Sequence, residues 1–473
     1  MLVPPVAALV AMAVTSSMPR GVPGEWEWAV PHGAPEPSGL ALAALAIVAY
    51  TLFAWVGHRA MASSASASSR LPWLIALAPA GLVVQVGLMA AAPNGYGLSK
   101  WATLGLSGSS GYFATADREI DDPITFWSQY PTWVQGQDTL HIGTHPPGLL
   151  LTSHAFLKVM ERSPGLAKAT LDVTPRTIVL AMRLLVDPST PRSRFAALIA
   201  FGALTLALAV LAAVPVYLLA RATGAGPGGS WAAASFWPIV PSLVLFHPTA
   251  DTVYPLVSGL SLALAAASIR SRLGTAASVF SGASLGVGMQ YSLAFAPVGL
   301  IAGLIVLLDR GEGVRWRSRI RSIAGIGAGF AAVTISLWAL SRANPLVIWW
   351  FNARNHHLFY DEYPRRLLAW LVANPIETAV GLGWPIVVLA TLGLRRSTPA
   401  MITLVVLIAL TLSGRNLGEV GRLWIVFFPP LVAATAPTFD SLARPRLWLV
   451  IALLLLSAEV LALQTAVQVV YPV

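Results

Sequence analysis

Long apolar runs alternate with short polar connections along most of this 473-residue chain. A helix that crosses a bilayer needs roughly 17–25 mostly apolar residues. By that measure the pattern predicts spans at 39–57, 71–92, 195–219, 230–246, 252–269, 274–289, 291–308, 322–340, 377–394, 398–413, 423–438 and 447–470. Residues 1–17 are apolar and short; they lack the basic lead and small-residue cleavage pattern of a signal peptide and are read as a first span. Two stretches break the rhythm, 93–194 and 341–376, both polar and rich in aromatics. No repeat of solenoid period is visible. The pattern predicts an all-α polytopic membrane protein, a single membrane domain over 1–473 with about thirteen transmembrane helices.

Charge sorts the connections into two sets. Arg59 and Arg70, Arg221, Arg270 and Arg272, Arg310 to Arg321, Arg395 and Arg396, and Arg444 and Arg446 fall in alternate connections. The positive-inside rule makes that face cytoplasmic. Most acids, among them Glu25, Glu27, Asp138, Asp251 and Glu419, fall in the other set. This bookkeeping decides how to read Leu149–Met160, an apolar dozen containing Thr152, Ser153 and His154. A crossing there would turn every later basic connection outward, so it is expected to lie on the outer surface as an amphipathic helix. A compensating span at 178–193 is interrupted by Arg183 and Asp187. Residues 93–194 then form one large external loop with juxtamembrane helices, and 341–376 a second. The expectation is a multi-pass protein of the plasma (inner) membrane with its site facing outward.

Composition agrees: 56% of residues are hydrophobic and 11% charged, against about 25% charged in soluble domains. The absence of cysteine excludes disulfides, thiol chemistry and Cys-ligated metal. The net charge of +10 lies in the connections, so it serves topology and does not suggest nucleic acid binding.

Candidate chemistry gathers on the outer side. In "GYFATADREIDDPITFWSQYPTWVQGQDTLHIGTHPPG" (111–148), Trp127, Tyr130 and Trp133 stand among acids and amides. Such mixtures suit sugars, whose faces stack on rings; an interfacial aromatic belt is the alternative. Asp117, Glu119, Asp121 and Asp122 lie within six positions. Crowded carboxylates raise one another's pKa, as suits a general base, or bind a divalent cation such as Mg or Mn; a solvated acidic turn also fits. His141 and His145 are four apart, but Gly143 and Pro146 oppose a metal-binding helix. His145 is read as a hydrogen-bonding group for a phosphate or sugar hydroxyl, or as a cap for the helix that Pro146 and Pro147 begin. The second loop packs Trp349, Trp350, Arg354, His356, His357 and Tyr360 into twelve positions, with Arg354 suited to phosphate. Arg415, Glu419 and Arg422 are spaced i, i+4, i+7 and would share one helix face. They would form either a cationic cradle for a lipid-linked phosphate or a self-contained ion-pair set.

"THPPGLLL" at 144–151, followed by a long span ending "YLLARATG" (217–224), resembles the GT-C superfamily of polytopic glycosyltransferases. The similar branch is that of the protein O-mannosyltransferases and lipid A aminoarabinose transferases, in which a "KPPL"-like motif ends an acidic first external loop. The likeness is architectural, over about residues 71–310, and the motif is short. It implies a GT-C-like bundle and a polyprenyl-phosphate-linked sugar donor used at the outer face. It also implies a carboxylate in the first external loop as base or metal ligand, transfer with inversion, and a lipid, glycan or protein acceptor. Carried onto this chain, Asp121 or Asp122 would be the catalytic carboxylate with His145 beside it. Arg415, Arg422 and Arg354 would bind donor phosphate, and Glu419, His356, His357, Tyr360 and Trp127 would contact substrate. One departure is that Ser110 and Gly111 stand where the family pattern places an acid; Glu25 and Glu27, in an early insertion, are the second choice. The rival expectations are a transporter or flippase of lipid-linked saccharides, which would show internal repeats and broken helices, and a polysaccharide polymerase or ligase.

Overall fold

The computed structural model describes residues 1–15, 17–30, 33–63, 66–105, 110–185, 190–270, 274–309 and 315–467; Asp187, Arg272 and Arg310 lie outside them. The described chain is almost wholly helical. Its sheet is one antiparallel pair, β1 (Gly21–Val22) and β2 (Trp26–Glu27). This pair follows α1 (Val3–Val14), and α2 (Pro37–Ser63) and α3 (Ala67–Ala90) come next, packed on each other. The first polar segment is a string of short helices: α4 (Tyr96–Ser99), α5 (Tyr112–Glu119), α6 (Pro123–Trp133), α7 (Gly148–Arg162), α8 (Pro164–Asp172) and α9 (Arg176–Leu185). The bundle resumes with α10 (Arg192–Leu211), α11 (Ala213–Ala222), α12 (Pro227–Phe236), α13 (Pro241–Phe246), α14 (Tyr254–Ser268), α15 (Gly274–Gly288), α16 (Phe295–Leu308) and α17 (Trp316–Ser341). The second polar segment forms α18 (Pro345–Glu362). Then follow α19 (Leu367–Leu382), α20 (Trp384–Gly393), α21 (Thr398–Leu412), α22 (Val420–Leu423), α23 (Phe428–Ala433), α24 (Ala436–Ser441) and α25 (Pro445–Ala466).

Each of the thirteen expected spans coincides with helix among its described residues (16 and 468–470 lie outside them), but fewer helices are long enough to cross. Among the described residues seven are long and apolar enough: α2, α3, α10 with α11, α12 with α13, the stretch carrying α14, α17 and α25. An eighth is counted if α19 and α20, bent by 99°, form one span. The expected span at 377–394 straddles that bend. Gly383 holds φ 95°, a conformation that side chains rarely adopt. The break exposes the first amides of α20, and the buried Glu459 of α25 accepts from Trp384 N at 2.9 Å. The expected span at 423–438 is likewise divided, into α22, a 3₁₀ turn at Ile425–Phe427, α23 and α24. These features make the chain an integral membrane protein of all-α class.

The centre of the bundle is α12 and α13, whose residues are all buried except Pro227 at the start of α12. Apolar packing between helices gains little over lipid, so close fit and interhelical hydrogen bonds carry the association. Trp231 Nε1 donates to Ala54 O at 2.9 Å, Trp237 Nε1 to Ala209 O at 2.7 Å, and Tyr50 Oη to Ser235 O at 2.8 Å. Asp440 of α24 accepts from Gly226 N and Gly229 N at 2.6 and 3.2 Å and so caps α12.

α7 is too short to cross a bilayer. It buries Leu149, Leu150, Ser153, His154, Leu157 and Met160, one face at helical spacing, and packs on α5 and α10. Its first residue explains the glycine after the paired prolines. Gly148 N donates to Gln290 O at 2.9 Å, and a methyl group on Gly148 would overlap that same carbonyl oxygen.

Candidate active site

Three connections meet in one pocket: the 138–147 loop before α7, the turn at 249–252 before α14, and α22. The first is shaped by its own polar residues and by α18. Asp138 Oδ1 accepts from the amides of Leu140 and His141, both at 2.9 Å, which turns the chain. From α18 the buried Asn352 donates to Gly143 O at 2.8 Å and His145 O at 3.0 Å. Asn355 donates to Val134 O and Gly143 O, both at 3.0 Å. Tyr130 Oη donates to His145 O at 2.5 Å.

The same loop sets the state of the His145 ring. Nδ1 lies 2.9 Å from His141 O. A carbonyl oxygen only accepts, so Nδ1 carries the hydrogen and Nε2 keeps its lone pair. Burial pushes the His145 pKa below the ordinary histidine value, which favours the neutral ring. His141 is pushed down to about 4, again chiefly by burial and then by the Arg422 charge. Tyr112 packs edge-on to His145 at 6.0 Å, and burial, helped by Asp251, pushes its phenol well above the usual range.

Opposite stand a carboxylate and a guanidinium. Asp251 is the middle residue of the 3₁₀ turn Ala250–Thr252 that leads into α14. Arg422, on the four-residue α22, lies 3.9 Å from Asp251 and 2.8 Å from Glu419. Its side chain is 13% exposed and that of Asp251 20%, so both work largely away from bulk water. Tyr254 and the apolar Leu104, Phe113, Leu149 and Phe201 complete the wall. The arrangement offers an anion-binding group, a carboxylate base and a neutral histidine acceptor in one recess.

Several expected residues are placed elsewhere. Arg415, Glu419 and Arg422 do not share a helix face. Gly414, Gly418 and Glu419 have φ of 70°, 86° and 54°, so the chain turns repeatedly before α22 begins. The Arg415 side chain meets His357, and its carbonyl accepts from His356 Nε2 at 2.9 Å and Tyr360 Oη at 2.7 Å. His356 and Tyr360 thus hold the 413–418 backbone. Arg354 is exposed on α18, and Trp127 is half-buried against the core.

The acid cluster is also dispersed. Asp117 pairs with Arg194 at 2.5 Å, and Glu119 accepts from Trp133 Nε1 at 2.6 Å. Asp122 caps α6, accepting from Thr125 N at 2.7 Å, and that bond holds its carboxyl below the usual range. Crowding was expected to raise it; the cap reverses the sign. Asp121 is exposed, and neither it nor Asp122 lines the pocket. Among the described residues no three His, Asp or Glu side chains converge as a cation site.

Asp251 is the residue that sequence reasoning passed over. It sat in plain view in "HPTADTVYP", an isolated acid between two apolar runs. Such a group is costly at a membrane edge and is by default a site candidate.

No protein-family model matches the chain, and no curated protein matches it. Among solved structures, the crystal structure of an Archaeoglobus fulgidus oligosaccharyltransferase in complex with zinc and sulfate is similar at 14% identity and a TM-score of 0.38. The match covers 82% of this chain and 53% of that one, so the chain spans about half the length of that protein.

Proposed function

We propose that the chain is a GT-C-type glycosyltransferase that moves a sugar from a polyprenyl-phosphate-linked donor to a lipid, glycan or protein acceptor at the outer membrane face. The observation that supports it is that Asp251 and Arg422 stand side by side, 3.9 Å apart, in a recess that also holds the neutral His145. Arg422 suits the donor phosphate, since a guanidinium binds phosphate oxygens through paired hydrogen bonds. Asp251 suits the base. As the acceptor oxygen attacks C1, its proton passes to Asp251. The C1–O bond to phosphate breaks, the electron pair leaves on the phosphate oxygen, and Arg422 stabilises the charge that develops there. Attack from the face opposite the leaving group inverts C1. His145 Nε2 accepts a hydrogen bond from a sugar hydroxyl. No step is drawn through a divalent cation, because Asp251 is the one carboxylate among the described residues lining the pocket. The pocket measures about 50 Å³, less than a sugar ring needs, so binding requires its walls to part.

The test is transfer by purified protein in liposomes, with single-sugar polyprenyl-phosphate donors and mass spectrometry of both products. Asp251→Asn should lose about 10²–10⁴-fold in rate, while the Asp121→Asn/Asp122→Asn double variant keeps turning over. The opposite result returns the base role to Asp121 or Asp122. Movement of an intact donor across the bilayer with no C–O cleavage would replace the enzyme with a flippase. Turnover only with oligosaccharide donors would indicate a polymerase or ligase.

A further inference from the structure

A second cavity lies between the Met18–Trp28 segment and α19. Its volume is about 390 Å³, within the range of roughly 300–1,000 Å³ typical of small-molecule sites. Met18, Val22, Trp28, Val372, Ile376 and Val380 make it largely apolar. Val372 and Ile376 are 64% and 44% exposed, so the groove opens along the outside of α19.

Three charged residues line it, and two are already engaged. Arg366 pairs with Glu25 at 2.6 Å, and the other Glu25 oxygen accepts from Trp370 Nε1 at 2.6 Å. This clasp pins the β1–β2 hairpin to the start of α19 and fixes the groove's walls. Glu377 Oε1 accepts from Gly421 N at 3.0 Å. The third, Arg20, is half-buried and has no carboxylate partner among the described residues. Its one described hydrogen bond runs to Trp28 O at 3.5 Å, the limit for such a bond. A guanidinium drawn partly out of water without a counter-charge is destabilising unless an anion meets it.

We propose that this groove holds one acyl chain of an anionic membrane phospholipid, with the lipid phosphate on Arg20. Apolar walls open to the bilayer select a chain, and the unpaired cation at their edge selects the sign of the headgroup. The proposal uses none of the residues assigned to sugar transfer and stands or falls separately from it.

Full-length protein is exchanged into nanodiscs of equal phosphatidylglycerol and phosphatidylcholine, released, and its retained lipids counted by native mass spectrometry. The wild type should retain phosphatidylglycerol preferentially. Arg20→Gln should reduce that preference about fivefold, the contribution of one basic residue near an anionic surface, and Arg20→Lys should restore part of it. Val372→Trp, which fills the groove from its exposed side, should reduce retention of the chain itself. Equal phosphatidylglycerol retention by the wild type and all three variants overturns the proposal. So does retention of inorganic phosphate that depends on Arg20 when no lipid is retained.

Discussion

His141 and His145 show how a main chain can choose the protonation state of a side chain. One carbonyl fixes which His145 nitrogen carries the hydrogen, and burial keeps both rings neutral. The sign of the resulting pH dependence follows. A histidine in the unfolded chain takes up a proton near pH 6.5; His141 in the fold resists until about pH 4. Stability is therefore complete above about pH 6.5 and declines as pH falls toward 4. Thermal unfolding in detergent between pH 7 and 4.5 should show this decline, and His141→Gln should flatten it. An unchanged slope in the variant would remove His141 as its source. The same scale shows why Asp122 was read as a base. "DDPIT" has the signature of a helix start, an acid before a proline at the first helical position, and the cap claims the carboxylate. The crowding at Gly148 had no local signature, because Gln290, which causes it, is remote in sequence.

Helices were legible from their apolar runs, and breaks were not. The bend at Gly383 depends on a carboxylate from α25, and the winding before α22 depends on side chains of α18 and α19. Neither is written in the segment that breaks. The 341–376 stretch was expected to contact substrate; in the fold, Asn352, Asn355, His356 and Tyr360 of α18 hold two loops. Asn355→Ala leaves the carbonyls of Val134 and Gly143 without that donor, at a cost of about 1–3 kcal/mol. The expected outcome is a lower unfolding temperature and faster proteolytic cutting within 134–145, with the rest of the bundle still protected. Protection of that loop at the wild-type level would show that Asn355 does not hold it.

The lack of cysteine, which excluded several chemistries, also makes the whole molecule easy to orient. A single cysteine at the exposed Ser128 should react with an impermeant maleimide on intact cells, and one at the exposed Arg317 only after lysis. The reverse pattern would invert the molecule and place the pocket inside. At this scale the burial of α12 and α13 bears on how the protein is made. The amides of Gly226 and Gly229 are capped by Asp440 of α24, and α25 packs on α13; both late helices leave the ribosome some 200 residues later. At about 5–20 residues per second, the central span waits roughly 10–40 s for its last neighbours. During that interval its polar flank must be shielded by the insertion machinery or by lipid. A ribosome that stops short of α24 leaves behind a membrane protein with its middle on the outside.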